Sequence, residues 1–389
     1  MEQPTHIIDP DGEVVIILRN ANAAFVEMDG GMAADSESQP SAEPVESSDD
    51  RVDSPPTNRS SLEMMMMEKR SSASVSESAT GPVDEPHEKN CFRVRVSAKH
   101  LIFASPVFKS ILKGGWKEGV AFLQEGSVEI TAESWDVGAF LILLRAIHGQ
   151  HYDIPRKLSL EMLAKVAVIA DYYDCKPALY IMFDIWVNAL EEKIPGSYCR
   201  ELILWLWISW FFRLPNQFMQ VTSIAMAQAD DRISNLGLPI PDRIIGAMND
   251  MRQRAIEDAV SQLHETREAF QNSKKGCSFE CSAIMYGALT MHSQSNALLS
   301  PKPAPPFSGL AYQNLVQSIR SFKSPVWYDP DPQKSPAVLG GRGWHSHGPH
   351  MGNHNASVSP HYCIDSYFLY LFNKLDGCIG GLEIDSFIP

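Results

Sequence analysis

The sequence has no apolar run long enough to cross a bilayer. The nearest is Leu202–Phe212 (LILWLWISWFF), bounded by Arg200-Glu201 and Arg213, and it falls well short of the ~20 residues that a spanning helix needs. It is expected instead as a buried core helix, and a membrane is not expected as a partner. No apolar segment of the secretory kind follows Met1, and the cysteines (Cys91, Cys175, Cys199, Cys277, Cys281, Cys363 and Cys378) are odd in number and scattered. Neither secretion nor a disulfide framework is indicated, so the expected compartment is reducing and intracellular, cytoplasmic or nuclear. The sequons at Asn58 and Asn355 then carry no sugar. Basic residues are also few, 33 Lys and Arg against 47 Asp and Glu, which gives a formal charge of -14. A broad phosphate-binding surface is disfavoured, because nucleic-acid binding leans on basic patches.

Local signatures of catalysis are missing as well. No G-x-S-x-G elbow is present, and no cysteine sits in a comparable nucleophile motif. Gly114-Gly-Trp-Lys-Glu-Gly119 spaces its glycines like a P-loop, yet Val120-Ala121 stand where Lys and Ser/Thr would hold phosphate and Mg²⁺. His264-Glu265 and His87-Glu88 begin zincin-like motifs, but Glu268 and Cys91 occupy the place of the second His. Gly340-Gly-Arg-Gly343 lacks the strand and helix of a phosphate nest and is expected as a flexible loop. The Ser-Pro sites at Ser54, Ser300, Ser324 and Ser335 are of a kind that occurs by chance in Ser/Pro-rich sequence. No catalytic and no cofactor-binding residue is assigned.

What is present is globular composition: 389 residues, 44% of them hydrophobic, enough for one large or two ordinary domains. The acidity is local. Residues 28–90 carry 14 acidic and 5 basic side chains in a Ser/Glu/Asp/Pro-rich stretch that cannot offset its ordering entropy by burial, and they are expected as a disordered insertion. Before it, Asp9-Pro10-Asp11-Gly12 is turn chemistry followed by the apolar strand Val14–Leu18. After it, Phe92-Arg-Val-Arg-Val96 alternates with the period of a half-buried strand. Ser97 then caps an expected helix carrying Leu101, Phe108 and Leu112 and ended by Gly114-Gly115. A short strand at Val128–Ile130 and helices at Trp135–Ile147 and from Ser159 to Tyr173 follow.

This series, with L-I-F-A-S-P-V-F over Leu101–Phe108, Gly115-Trp116-Lys-Glu118, and Ala170-Asp-Tyr-Tyr-Asp-Cys175 at the end of the helices, resembles a BTB/POZ domain of the type found in fungal proteins. The wider family often has His where this chain has Ser97. The resemblance implies an α+β domain, a short sheet packed on helices, formed by residues 1–27 and 91–190 around the insertion, and a mainly α-helical C-terminal domain over 191–389. It implies protein partners, homo-oligomers or other chains, and in some relatives a cullin ubiquitin ligase scaffold. The corresponding candidate surface is Leu101, Ser105, Phe108 and Trp116, with His148 and Tyr152 at the helix ends. In the C-terminal region, paired helices are expected at Glu201–Leu214 and Gln217–Ala229 around Pro215. A long amphipathic helix is expected over Asp242–Asn272, with Asp258 breaking any coiled-coil seam.

One constellation carries chemistry. Cys277-Ser-Phe-Glu-Cys281 has the spacing of a structural zinc pair, and His361-Tyr-Cys363 can supply the other two donors. The competing view is buried free thiols beside a surface histidine. The other histidines of the 345–361 tract read as a solvated loop. The expected function is a non-enzymatic interaction module, an adaptor or scaffold carrying at most one structural zinc. The alternative is a transcriptional regulator reaching DNA through the zinc-like cluster, against which stands the lack of a basic run near it beyond Lys274-Lys275 and Arg342.

Overall fold

The computed structural model of the chain describes residues 3–26, 91–329, 359–361 and 363–388. The acidic insertion, Gly340–Gly343 and the other histidines of the 345–361 tract therefore lie outside the described residues. The chain divides into two compact units. The first holds residues 1–195, 199–218 and 235–241, and the second 196–198, 219–234 and 242–389.

The sheet of the first unit is built around one apolar strand. β1 (His6–Ile7), β2 (Val14–Arg19), β3 (Phe92–Val96) and β4 (Val128–Glu133) lie in the order β1-β3-β2-β4. β2 pairs antiparallel with β3, Ile16 opposite Val94, and parallel with β4, Ile16 opposite Ile130. The Asp9–Gly12 turn closes as expected, with Gly12 N–H donating to the Asp9 carbonyl at 3.1 Å. Val14, Ile16, Leu18, Val94, Val96, Val128 and Ile130 are buried, so alternation in β3 and β4 gives the sheet one apolar face. Arg93 stands on the other side of the alternation and pairs with Glu129.

Helices cover that apolar face. The helix expected as one piece after Ser97 is two: α1 (Ala98–Ala104) and α2 (Pro106–Lys113). Proline disfavours helical dihedrals in the residue before it, so Ser105 is extended (φ -139°, ψ 120°), and its side chain accepts from Phe108 N–H as the cap of α2. Pro106 fills the first helical position, where a missing N–H costs nothing. Ser97 occupies the start of α1 but makes no side-chain cap bond. α3 (Lys117–Glu125) leads into β4. α4 (Val137–Ile147) and α5 (Leu160–Tyr172) start at Asp136 and Ser159, whose side chains accept from Ala139 and Met162 N–H. α6 (Tyr180–Ala189) follows.

α7 (Arg200–Phe212), the Leu202–Phe212 run, packs against α5 and groups with the first unit, although the C-terminal domain is expected over 191–389. The reason is its composition. A helix apolar on every side must be enclosed on every side, and ten of its residues are buried. Arg200 at its start donates to the carbonyls of Phe25 and Val26 and to Glu161, which anchors residues 25 and 26 in that unit. Among the described residues, no helix is long and apolar enough to cross a membrane.

α8 (Pro215–Gln228) is divided between the units. The second unit is helical, with α9 (Asp242–Gln271), α10 (Phe279–Ser295), α11 (Tyr312–Arg320), a two-residue ladder of β5 (Tyr328–Asp329) and β6 (Ser359–Pro360), and the short α12 (Phe368–Leu371). α9 buries Ile244, Met248, Ile256, Ala259, Val260, Leu263 and Phe270 against α10 and α11, with Asp258 exposed. The same stripe carries three buried polar side chains, Asn249, Arg252 and Thr266. Asn249 accepts from Ile233 N–H and donates to the Ile233 carbonyl. Arg252, 0% exposed, donates to the carbonyls of Ala229, Pro306, Phe307 and Leu310. Mixed α+β architecture with a small sheet and a mainly helical second unit thus agrees with the expected class at that level.

Candidate metal centre

The four residues suspected from spacing meet in the second unit. The donor atoms of Cys277, Cys281, His361 and Cys363 all lie within 4.8 Å of one another. Cys277 Sγ is 3.5 Å from His361 Nε2, and a tetrahedral zinc with its usual bond lengths sets its S and N ligands about 3.6 Å apart. Cys281 and His361 are buried, Cys363 is partly exposed and Cys277 exposed.

Each donor is placed by local chemistry. Ser278 caps α10, its hydroxyl accepting from Cys281 N–H at 3.2 Å, which fixes Cys281 in the first turn and Cys277 just before the helix. Gly276 makes the approach at φ 93°, a left-handed conformation open to glycine. A Cβ there would also fall 2.6 Å from the Ser282 hydroxyl. On the other side, His361 N–H donates to the Trp327 carbonyl at 3.2 Å, and its ring stacks on Trp327 with centroids 3.6 Å apart. Cys363 begins a tight turn, its carbonyl accepting from Ser366 N–H at 2.9 Å. Asp365 joins the halves. It accepts from Gly276 N–H at 3.0 Å and lies 3.7 Å from the Lys275 ammonium.

The donor set fits a cation. Burial pushes the Cys281 thiol well up from its ordinary value, and Cys277 is raised by burial and by its neighbour Cys363. Thiols gathered in this way hold their protons unless a positive ion compensates the thiolates. Three sulfurs and one imidazole are the soft, tetrahedral set that zinc takes in structural sites. Trp327, Gly276 and Asp365 escaped sequence analysis. A lone tryptophan 34 positions before His361 gives no local signal, whereas an acid two residues after Cys363 could have been noticed as support for a ligand.

The candidate partner surface fares differently. Leu101, Ser105 and Phe108 are buried and so present no surface to a partner. Leu101 and Phe108 build the core under the sheet, Phe108 stacking on Tyr173 at 4.3 Å, and Ser105 donates to the Tyr173 carbonyl. Trp116 is half exposed, and Tyr152 is 100% exposed. His148 is half buried beside the start of α1, its Nε2 accepting from Ser97 N–H at 3.0 Å. The large apolar groups that α1 and α3 do expose are Phe103, at 95%, Leu123, at 77%, and Val120. No protein-family model, curated protein or solved structure matches the chain.

Proposed function

We propose that the protein is a non-enzymatic interaction scaffold: a BTB/POZ-like unit followed by a helical unit whose fold is locked by one structural zinc. The observation that carries this is the closed donor set. Catalytic zinc keeps a coordination position for water or substrate, whereas structural zinc takes four protein ligands, and Cys277, Cys281, His361 and Cys363 supply four. In the first unit, two antiparallel strands, then helices, a further strand and more helices keep the order that the BTB/POZ resemblance implies, with two short helices at Ala98–Ala104 and Pro106–Lys113 where it implies one, and this order supports the scaffold reading. Partners are then proteins: a second copy of the chain, or a cullin scaffold.

The test uses the purified full-length chain, in metal analysis, sedimentation and binding titrations against a cullin N-terminal domain. The expected result is one zinc per chain, with self-association or cullin binding that persists at high salt. Metal-free protein that stays monomeric, ignores cullin and shifts DNA in a salt-dependent way would overturn the proposal in favour of a DNA-binding regulator.

A further inference from the structure

We propose that Cys277 is an oxidation site, with Cys363 as its resolving thiol and loss of zinc as the consequence. This deepens the zinc reading and rests on it. The three cluster thiols differ in access: Cys277 is exposed, Cys363 partly exposed and Cys281 buried. Susceptibility of a thiolate to peroxide follows its exposure and nucleophilicity, and metal binding keeps these sulfurs as thiolates. The first sulfur that a small peroxide meets is therefore that of Cys277. All the donor atoms lie within 4.8 Å of one another, so an oxidised Cys277 has a second thiol within reach.

Of the two candidates, Cys363 is the one that attacking peroxide chemistry can reach, being partly exposed where Cys281 is buried. Cys281 is held in the first turn of α10 by the Ser278 cap and has no exposed surface. Cys363 stands before a short turn on a partly exposed segment. The chemistry balances with hydrogen peroxide as oxidant. The Cys277 thiolate attacks one peroxide oxygen, an S–O bond forms, the O–O bond breaks, and hydroxide leaves and takes a proton. The Cys363 thiolate then attacks that sulfur, the S–S bond forms, the S–O bond breaks, and a second hydroxide leaves and, like the first, takes a proton from solvent to become water. Two thiolates lose two electrons and peroxide becomes two waters. Zinc, left with Cys281 and His361 alone, passes to solvent. Because Cys277 and Cys363 lie on opposite sides of the site, the disulfide keeps the start of α10 joined to the 361–366 segment. Oxidation thus replaces a metal clasp with a covalent one.

The experiment is peroxide titration of the zinc-loaded, reduced, full-length chain beside a chromogenic zinc indicator, with peptide mapping of the disulfides. One zinc should appear per peroxide consumed, together with a Cys277–Cys363 linked peptide, and dithiothreitol with added zinc should reverse both. Cys378→Ser, which removes an exposed thiol outside the cluster, should release zinc at the wild-type rate. Cys363→His, which can keep four donors but has no resolving thiol, should slow release several-fold; if it fails to bind zinc, the mapping of the wild-type chain decides. Zinc that stays bound under peroxide, or release with Cys277 joined to Cys281, overturns this proposal and leaves the zinc reading standing. A reduced chain that carries no zinc overturns the zinc reading and the release step with it.

Discussion

At the scale of single residues, His148 shows how a half-buried imidazole couples this fold to pH. Its Nδ1 meets the Leu144 carbonyl at 2.7 Å and its Nε2 accepts from Ser97 N–H, which places the ring proton on Nδ1 and keeps the side chain neutral. Burial lowers its pKa from the ordinary 6.5, and nearby His100 adds to the fall, while the Leu144 carbonyl, Asp9 and Ser97 oppose it. The unfolded chain therefore takes up a proton at a pH where the folded chain refuses it. The stability this gives is fully present above about 6.5 and is lost as pH falls from there through the folded value. We expect His148→Ala to cost about 1–3 kcal/mol at neutral pH by orphaning Ser97 N–H, and to flatten the loss of stability between pH 7.5 and 5.5. Urea melts at the two pH values check this; an unchanged slope in the variant would show that another group titrates.

At the scale of elements, the two short helices α1 and α2 depend on their junction. Ser105 caps α2 and donates to the Tyr173 carbonyl, so Ser105→Ala should cost about 1–3 kcal/mol. Phe108→Ala and Leu101→Ala, both buried, should each cost about 2–5 kcal/mol. Losses below about 0.5 kcal/mol in chemical denaturation, typical of surface sites, would contradict this packing. In the second unit, Arg252 holds four carbonyls from two loops, and among the described residues no carboxylate is in hydrogen-bond contact with it. Arg252→Lys keeps the charge but cannot reproduce the fork, and we expect a loss of about 3–5 kcal/mol in the same measurement.

Elements with a clear period or punctuation were legible in the sequence. The strands at Val14 and Phe92, the Ser159 cap, the Pro215 break and the length of α9 all followed from local pattern. The break at Ser105-Pro106 was written there too, but the apolar spacing from Leu101 to Leu112 spans it and suggests one helix. The placement of α7 was not legible as a unit boundary, since a helix apolar on all sides tells that it is buried and not against what. The metal ligands were legible as two pairs, because thiol and imidazole spacing is chemical. Their meeting, the stack of Trp327 on His361 and the loss of Leu101, Ser105 and Phe108 from the candidate surface depend on tertiary packing, on which spacing is silent.

At the scale of the whole molecule, the second unit's stability turns on the metal. Cys281 and His361 are far apart in sequence, and a long loop costs only slightly more to close than a short one, so one zinc can clasp the C-terminal segment to α10 at small entropic expense. Cys281→Ser should abolish zinc binding; even ~3 kcal/mol of lost metal binding lowers the melting point of a unit this size by roughly 10 °C. The most direct test is metal analysis joined to calorimetry of the full-length chain before and after chelation. One zinc per chain is expected and, on chelation, loss of the second unit's transition with that of the first unit retained. Metal-free protein whose Cys277 and Cys363 alkylate freely in the native state, with a melting curve unchanged by chelator, would contradict this expectation.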